Sequence, residues 1–209
     1  MKLKKLIPEL ASELINHEYD KEPREVQTVC IPKIKSGADM FVIAPEGSGK
    51  TTAIIISIIQ QLKKPFEEAP RAIIMVESKA KAFAVEEQFD LLSKQTKLRS
   101  FIVFDEGIMQ YQKDMIYEGV DVVIGTPKRI GELLSVQGIP MTKVKIFAVD
   151  DAEMLSPHLH HPVIYRIADG IEKSQFLFFA NKWTDKFEKV EERMMKNPLI
   201  MEFDEHSPE

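Results

Sequence analysis

Seven short apolar runs punctuate this chain, and each is continuous rather than alternating: residues 40–43, 72–76, 101–104, 120–124, 145–149, 175–180 and 199–203. They are rich in Val, Ile and Phe. An alternating run buries one face of a strand, whereas a continuous run buries both. Between the runs lie longer amphipathic stretches, which predict helices over 51–63, 79–94, 108–118, 127–136, 162–169 and 185–196. Such a strand–helix–strand rhythm predicts a three-layer α/β domain, a mostly parallel central sheet with helices on both faces. Two more helices, over 3–16 and 25–36, are expected before the first strand. No internal repeat interrupts the pattern. The expected organisation is a single domain over 1–205 with a frayed acidic tail at 206–209.

Composition narrows the function classes. The chain has 209 residues, 44% hydrophobic and 29% charged, which excludes global disorder. A lone Cys30 excludes an intrachain disulfide and a cysteine-built zinc site. No apolar run approaches the ~18 residues that span a bilayer. The basic start meets Pro8, Glu9 and Glu13 before a signal-peptide core can form. A cytoplasmic location with no membrane partner is therefore expected. A net charge of -5 argues against holding nucleic acid by bulk charge alone.

The first run leads into Ala44-Pro45-Glu46-Gly47-Ser48-Gly49-Lys50-Thr51-Thr52, followed by a long apolar helix. Strand, loop and helix in that order are what a phosphate loop requires. Gly47 and Gly49 let the backbone curl, so that N–H groups around Ser48 point at phosphate oxygens. The helix beginning near Thr51 and Thr52 adds its positive end. Lys50 is placed to neutralise the terminal phosphates, and the Thr51 hydroxyl to ligate Mg2+. A plain glycine-rich turn would explain the glycines but not the whole context. A metal carboxylate is then needed at the end of a neighbouring strand. The run at 145–149 supplies Asp150, with Asp151 next to it to orient or deprotonate the attacking water.

These residues resemble the first RecA-like lobe of the DEAD-box RNA helicases, within helicase superfamily two. Pro23-Arg24-Glu25-Val26-Gln27 is similar to the family's glutamine motif, which implies that Gln27 reads adenine and that ATP is the nucleotide. An amide offers the donor and acceptor that the adenine edge needs. The aromatic expected upstream to stack on adenine is missing, with Leu10 near that position. Thr126-Pro127-Lys128-Arg129 resembles the Thr-Pro-Gly-Arg motif, a capped helix start implied to contact RNA phosphates. Glu77-Ser78-Lys79-Ala80-Lys81-Ala82 matches Pro-Thr-Arg-Glu-Leu-Ala weakly, with Ser78 and Lys79 as the implied RNA contacts. Residues 183–205 have the helix-then-strand form that closes the lobe.

Four departures bear on mechanism. The namesake Asp-Glu-Ala-Asp reads Asp150-Asp151-Ala152-Glu153, so the catalytic acid is one methylene short. A displacement of ~1 Å can cost roughly a hundredfold in rate. The Ser-Ala-Thr coupling motif aligns with Ala180-Asn181-Lys182, without either hydroxyl. Where the family has a glycine pair beside RNA, this chain has Asp105-Glu106. The second lobe, which brings arginine fingers worth about 10³–10⁵ in rate, is absent from these residues. The resemblance thus implies a lobe that binds ATP and Mg2+, holds RNA weakly, hydrolyses slowly alone and needs a second lobe or a partner chain. The competing expectation is a degenerate regulatory or scaffold module. An unrelated phosphate-loop enzyme such as a small kinase predicts neither Gln27 nor the Thr126–Arg129 motif at these spacings. His158, His160 and His161 read as a solvated loop, the methionines as core filler, Trp183 as core, and the charges of 186–196 as a solvated helix face.

Overall fold

A computed structural model describes residues 3–155, 161–171 and 173–204. The seven strands are β1 (Met40–Ile43), β2 (Ala72–Met75), β3 (Ser100–Val103), β4 (Val122–Gly125), β5 (Ile146–Val149), β6 (Gln175–Ala180) and β7 (Leu199–Glu202). They form one sheet in the order β3-β4-β2-β5-β6-β1-β7, and every pairing is parallel. Eight α-helices are described. They are α1 (Pro8–Asn16), α2 (Glu25–Lys35), α3 (Lys50–Leu62), α4 (Lys79–Ser93), α5 (Met109–Gly119), α6 (Pro127–Ser135), α7 (His161–Gly170) and α8 (Lys186–Met194).

The continuous apolar runs are explained by two cores, one on each face. Met40 and Val42 of β1 point into a core with α1 to α4, including Leu14, Ile55 and Phe89. Phe41 and Ile43 point the other way, into a core with Ile116, Ile130, Ile164 and Phe187 of α5 to α8. The alternation of Cβ atoms thus spends the residues of the inner strands β1, β2, β4, β5 and β6 on one core or the other, whereas the edge strand β7 is largely exposed. Phe41 anchors the second core, 4.8 Å from Phe187 and 5.1 Å from Trp183 between ring centres. Trp183 therefore packs against the core, as expected. Met40, Met75, Met194 and Met195 are buried filler, but Met109 is exposed.

The first predicted helix is broken. Residues Leu3–Lys5 form a single 3-10 turn, and α1 starts afresh at Pro8. Proline pushes the residue before it into extended geometry, and Ile7 sits at φ -64°, ψ 145°. The α8 helix carries its charges outward but buries Phe187, Val190 and Met194, so only one face is solvated. Cys30 is buried, which pushes its thiol up to about 12. His158, His160 and the 206–209 tail lie outside the described residues, as does the side chain of His161. Among the described residues, no helix is long and apolar enough to cross a membrane.

Because all strands run one way, every loop after a strand emerges at the same sheet edge. The loops after β1, β5 and β6 are neighbours there, and so are those after β2, β4 and β3.

Candidate functional site

The loop after β1 curls through Gly47 at φ 77° and Gly49 at φ 88°, conformations that side chains resist. A Cβ on Gly49 would come within 2.6 Å of Gln27 Nε2. The loop glycine and the glutamine of α2 are therefore packed against each other, although 22 positions separate 27 from 49. Gln27 Oε1 accepts from the backbone N–H of Arg24 at 3.1 Å, which leaves its amide nitrogen toward the loop. These residues line a cleft of about 900 Å³ with Lys50, Thr51, Thr52, Asp151 and Asn181.

Lys50 opens α3 and folds back into the loop. Its ammonium donates to Ala44 O at 2.7 Å, Pro45 O at 2.9 Å and Asn181 Oδ1 at 2.7 Å. Burial pushes its pKa down, against the pull of Asp150, Asp151 and Glu153. Thr51 donates to Asp150 Oδ2 at 2.5 Å. Asp150 directly follows β5, fully buried, and burial raises its pKa while Lys81 opposes. Asp151 follows in the left-handed region at φ 59°. Glu153 caps the β6 end by accepting from the backbone N–H groups of Asn181 and Lys182. Ala180 is the last residue of β6, buried in the second core.

The donor set fits a nucleotide with magnesium. Ser48 Oγ and Asp150 Oδ1 are buried without a hydrogen-bond partner among the described residues. Among those residues no group of three or more His, Cys, Asp or Glu forms a closed metal cage. Magnesium does not need one, since it takes one or two carboxylates plus phosphate oxygens and water.

Some cleft residues carry no signal in the sequence pattern. Tyr19 and His17 line the cleft from the turn after α1. Leu10 is fully buried and cannot stack on a ligand; Tyr19 is the aromatic that reaches the cleft. Its hydroxyl accepts from Gln88 Nε2 at 3.0 Å, and Gln88 also donates to Thr52 at 2.8 Å. Lys81 of α4 pairs with Asp150 at 3.4 Å and Asp151 at 3.1 Å. Burial lowers its pKa, but the two carboxylates outweigh this and hold it above the usual lysine range.

The second group of loops gathers the residues expected to face RNA, and their geometry differs from that expectation. Thr126 occupies the N-cap of α6, with Pro127 first in the helix. Its hydroxyl does not cap the helix but donates to Asp105 Oδ1 at 2.8 Å. Arg129 is 5% exposed, not a free surface cation. It donates to Gly107 O at 2.8 Å, Gln112 Oε1 at 2.9 Å and Glu132 at 2.9 Å, and also to Asp105 O. An inward guanidinium satisfies the carbonyls of the 105–107 turn, which would otherwise lack donors. Lys128 remains exposed, near Asp105 at 3.7 Å. Ser78 caps α4 by accepting from the Lys81 N–H at 3.2 Å. Lys79 is exposed, its ammonium 4.5 Å above the Phe104 ring.

An all-parallel sheet with a phosphate loop after its first strand, and an acidic strand end two strands away, defines a RecA-like nucleotide-binding lobe. The chain belongs to the DEAD/DEAH box helicase family, whose model matches residues 24–190. It is similar to the ATP-dependent rRNA helicase RRP3 of Saccharomyces cerevisiae, 31% identical over 199 residues, covering 93% of this chain and 39% of that protein. It is also similar to DEAD-box ATP-dependent RNA helicase 41 of Arabidopsis thaliana, 26% identical, covering 94% of this chain and 40% of that protein. The chain thus spans about two-fifths of the length of these relatives, in the region of their N-terminal lobe. The fold is shared with Saccharomyces cerevisiae dbp5 bound to gle1 and ip6, at a TM-score of 0.86 and 20% identity, covering 98% of this chain and 52% of that one. A second dbp5 structure, bound to nup159, gle1, ip6 and adp, gives 0.83 and 21%, covering 95% and 52%. Members of the family generally use ATP with magnesium.

Proposed function

We propose that this chain is the ATP-binding lobe of an RNA-dependent helicase motor, slow in hydrolysis by itself and dependent on a second lobe or partner chain. The observation that carries the reading is the convergence of Gln27, Gly47, Gly49, Lys50 and Thr51 on one cleft, with Asp150 of a third segment held just behind it by the Thr51 hydroxyl. Gln27 selects the base through its free amide nitrogen. The Gly47–Thr52 backbone and Lys50 hold the phosphates, with Lys50 exchanging its carbonyl partners for phosphate oxygens. Thr51 and Asp150 hold the magnesium, and Asp151 holds and orients a water. When bound, ATP with magnesium supplies the anhydride to be cleaved and the charge that steadies its phosphate oxygens. Without an arginine from a second lobe, the rate falls by about 10³–10⁵. In the coupling segment Ala180, Asn181 and Lys182, the backbone N–H groups of Asn181 and Lys182 hold Glu153 and the Asn181 amide holds Lys50.

A regulatory or scaffold module is the second reading. It is favoured by Arg129 and Thr126 being occupied by the 105–107 turn and by Pro127 being buried, which leaves Ser78, Lys79 and Lys128 as the RNA-side surface. ATP titration of wild type and Lys50→Ala, with and without single-stranded RNA, tests both. Binding by wild type that Lys50→Ala loses supports the nucleotide site; equal binding overturns it. RNA-stimulated hydrolysis supports the motor, and its absence the module. Rapid hydrolysis by the chain alone overturns the dependence on a second lobe.

A further inference from the structure

The two carboxylates at the end of β5 are already engaged by a cation of the chain's own. Ser78 caps α4 by accepting from the Lys81 N–H, which sets the first turn of that helix. From there the Lys81 ammonium lies 3.4 Å from Asp150 Oδ2 and 3.1 Å from Asp151 Oδ2. The same Asp150 oxygen receives the Thr51 hydroxyl at 2.5 Å. Lysine stands here where the Pro-Thr-Arg-Glu-Leu-Ala pattern has an uncharged leucine.

Burial decides how strong this arrangement is. The Asp150 side chain is 1% exposed, so water screens it little, while that of Lys81 is 30% exposed and has a route outward. Lys50 cannot serve instead, because three acceptors already take its ammonium. A divalent cation engaging Asp150, whose Oδ1 has no partner among the described residues, must contend with an ammonium on the other oxygen of the same carboxylate.

We propose that Lys81 is a built-in counter-ion of the Asp150–Asp151 pair, which competes with divalent cations and must swing outward before a metal engages. Without nucleotide it offsets one of the pair's two negative charges. With nucleotide and no metal it lends its charge to the site, so nucleotide affinity depends less on magnesium than it otherwise would. The second consequence rests on the nucleotide reading above; the first does not.

The test compares wild type with Lys81→Met, Lys81→Gln and the charge-keeping Lys81→Arg. Nucleotide-free protein is titrated with Mn2+ and the free ion read by electron paramagnetic resonance. Loss of the charge should tighten Mn2+ binding at least about tenfold in Lys81→Met and Lys81→Gln, and not in Lys81→Arg. ATP affinity is then measured with magnesium and with a chelator. The ratio of the two should rise by about tenfold in the uncharged variants. Mn2+ binding by both uncharged variants equal to wild type overturns the proposal, as does an unchanged magnesium ratio. If no form binds ATP, the nucleotide reading fails and the Mn2+ titration alone decides the role of Lys81.

Discussion

The Lys50 ammonium donates to Asn181 Oδ1 at 2.7 Å, tying the phosphate loop to the end of a strand 131 residues away. The pairing of β1 with β6, which sets Ile43 beside Ala180, brings the two segments within reach of each other. An amide thus stands in the segment where the Ser-Ala-Thr pattern carries hydroxyls, and it serves as an anchor for the phosphate-loop lysine. Asn181→Ala removes one acceptor from a buried ammonium. The expected loss of stability is about 1.5–3 kcal/mol in urea denaturation, the range for a hydrogen bond to a charged group. An unchanged midpoint would mean that Lys50 needs only its two carbonyls.

Asp151 holds the position expected of a longer acid, and it does so at φ 59° and ψ 60°. Aspartate tolerates the left-handed region better than glutamate does. Asp151→Glu should therefore act in two directions. Phosphate release should rise, by roughly ten- to a hundredfold if ~1 Å of reach is the deficit. Stability should fall by about 1 kcal/mol. A rate that does not change while stability falls would remove Asp151 from the chemistry.

Asp105 binds Thr126 and approaches Lys128, and Glu106 beside it is exposed. Replacing both acids by glycine frees the Thr126 hydroxyl, leaves Lys128 with Glu132 as its remaining acidic neighbour at 3.9 Å, and removes two negative charges. Affinity for single-stranded RNA, read by fluorescence anisotropy, should rise about tenfold at low salt, and the gain should shrink as salt screens it. If affinity stays flat, these loops do not face RNA.

Asp121, just before β4, is fully buried between Arg71 Nη2 at 2.6 Å and Arg99 Nε at 2.9 Å. Burial alone would raise its pKa, but hydrogen bonds from Arg99, Arg71 and the Phe66 N–H reverse this and hold it below the ordinary 3.8. Its stabilisation is therefore complete above the unfolded pKa and is lost as pH falls through the lower folded value. Asp121→Ala strands a buried Arg71 and should cost about 3–5 kcal/mol. Urea midpoints taken down the acid limb should converge for wild type and variant; a gap that stays constant with pH would show that the loss is one of packing.

Much of the architecture was legible in the apolar runs, because strands buried on both faces leave few polar positions; the 199–203 run is the exception, an edge strand that is largely exposed. The 120–124 run is shifted, since the strand itself is Val122–Gly125, and Pro8 splits what periodicity alone reads as one helix. Gln27, the phosphate loop and Asp150 were legible because their chemistry needs fixed residue types at fixed spacings. Tyr19, Gln88 and Lys81 were not, since a tyrosine in a turn or a lysine on a helix is ordinary in any sequence. Arg129 was misread for the same reason: whether a cation faces solvent or a ring of carbonyls depends on residues 17–24 positions away.

By itself the sequence determined the parallel α/β lobe, the phosphate loop and the acid that faces it, because hydrophobic period and local backbone demands are written along the chain. Only the tertiary structure decided which charges are free. Sheet order brings the ends of β1, β5 and β6 together, so Lys50 finds Asn181 and Lys81 finds the aspartates. A charge count of -5 cannot say which acids are already paired, since pairing is a property of distance and burial in space.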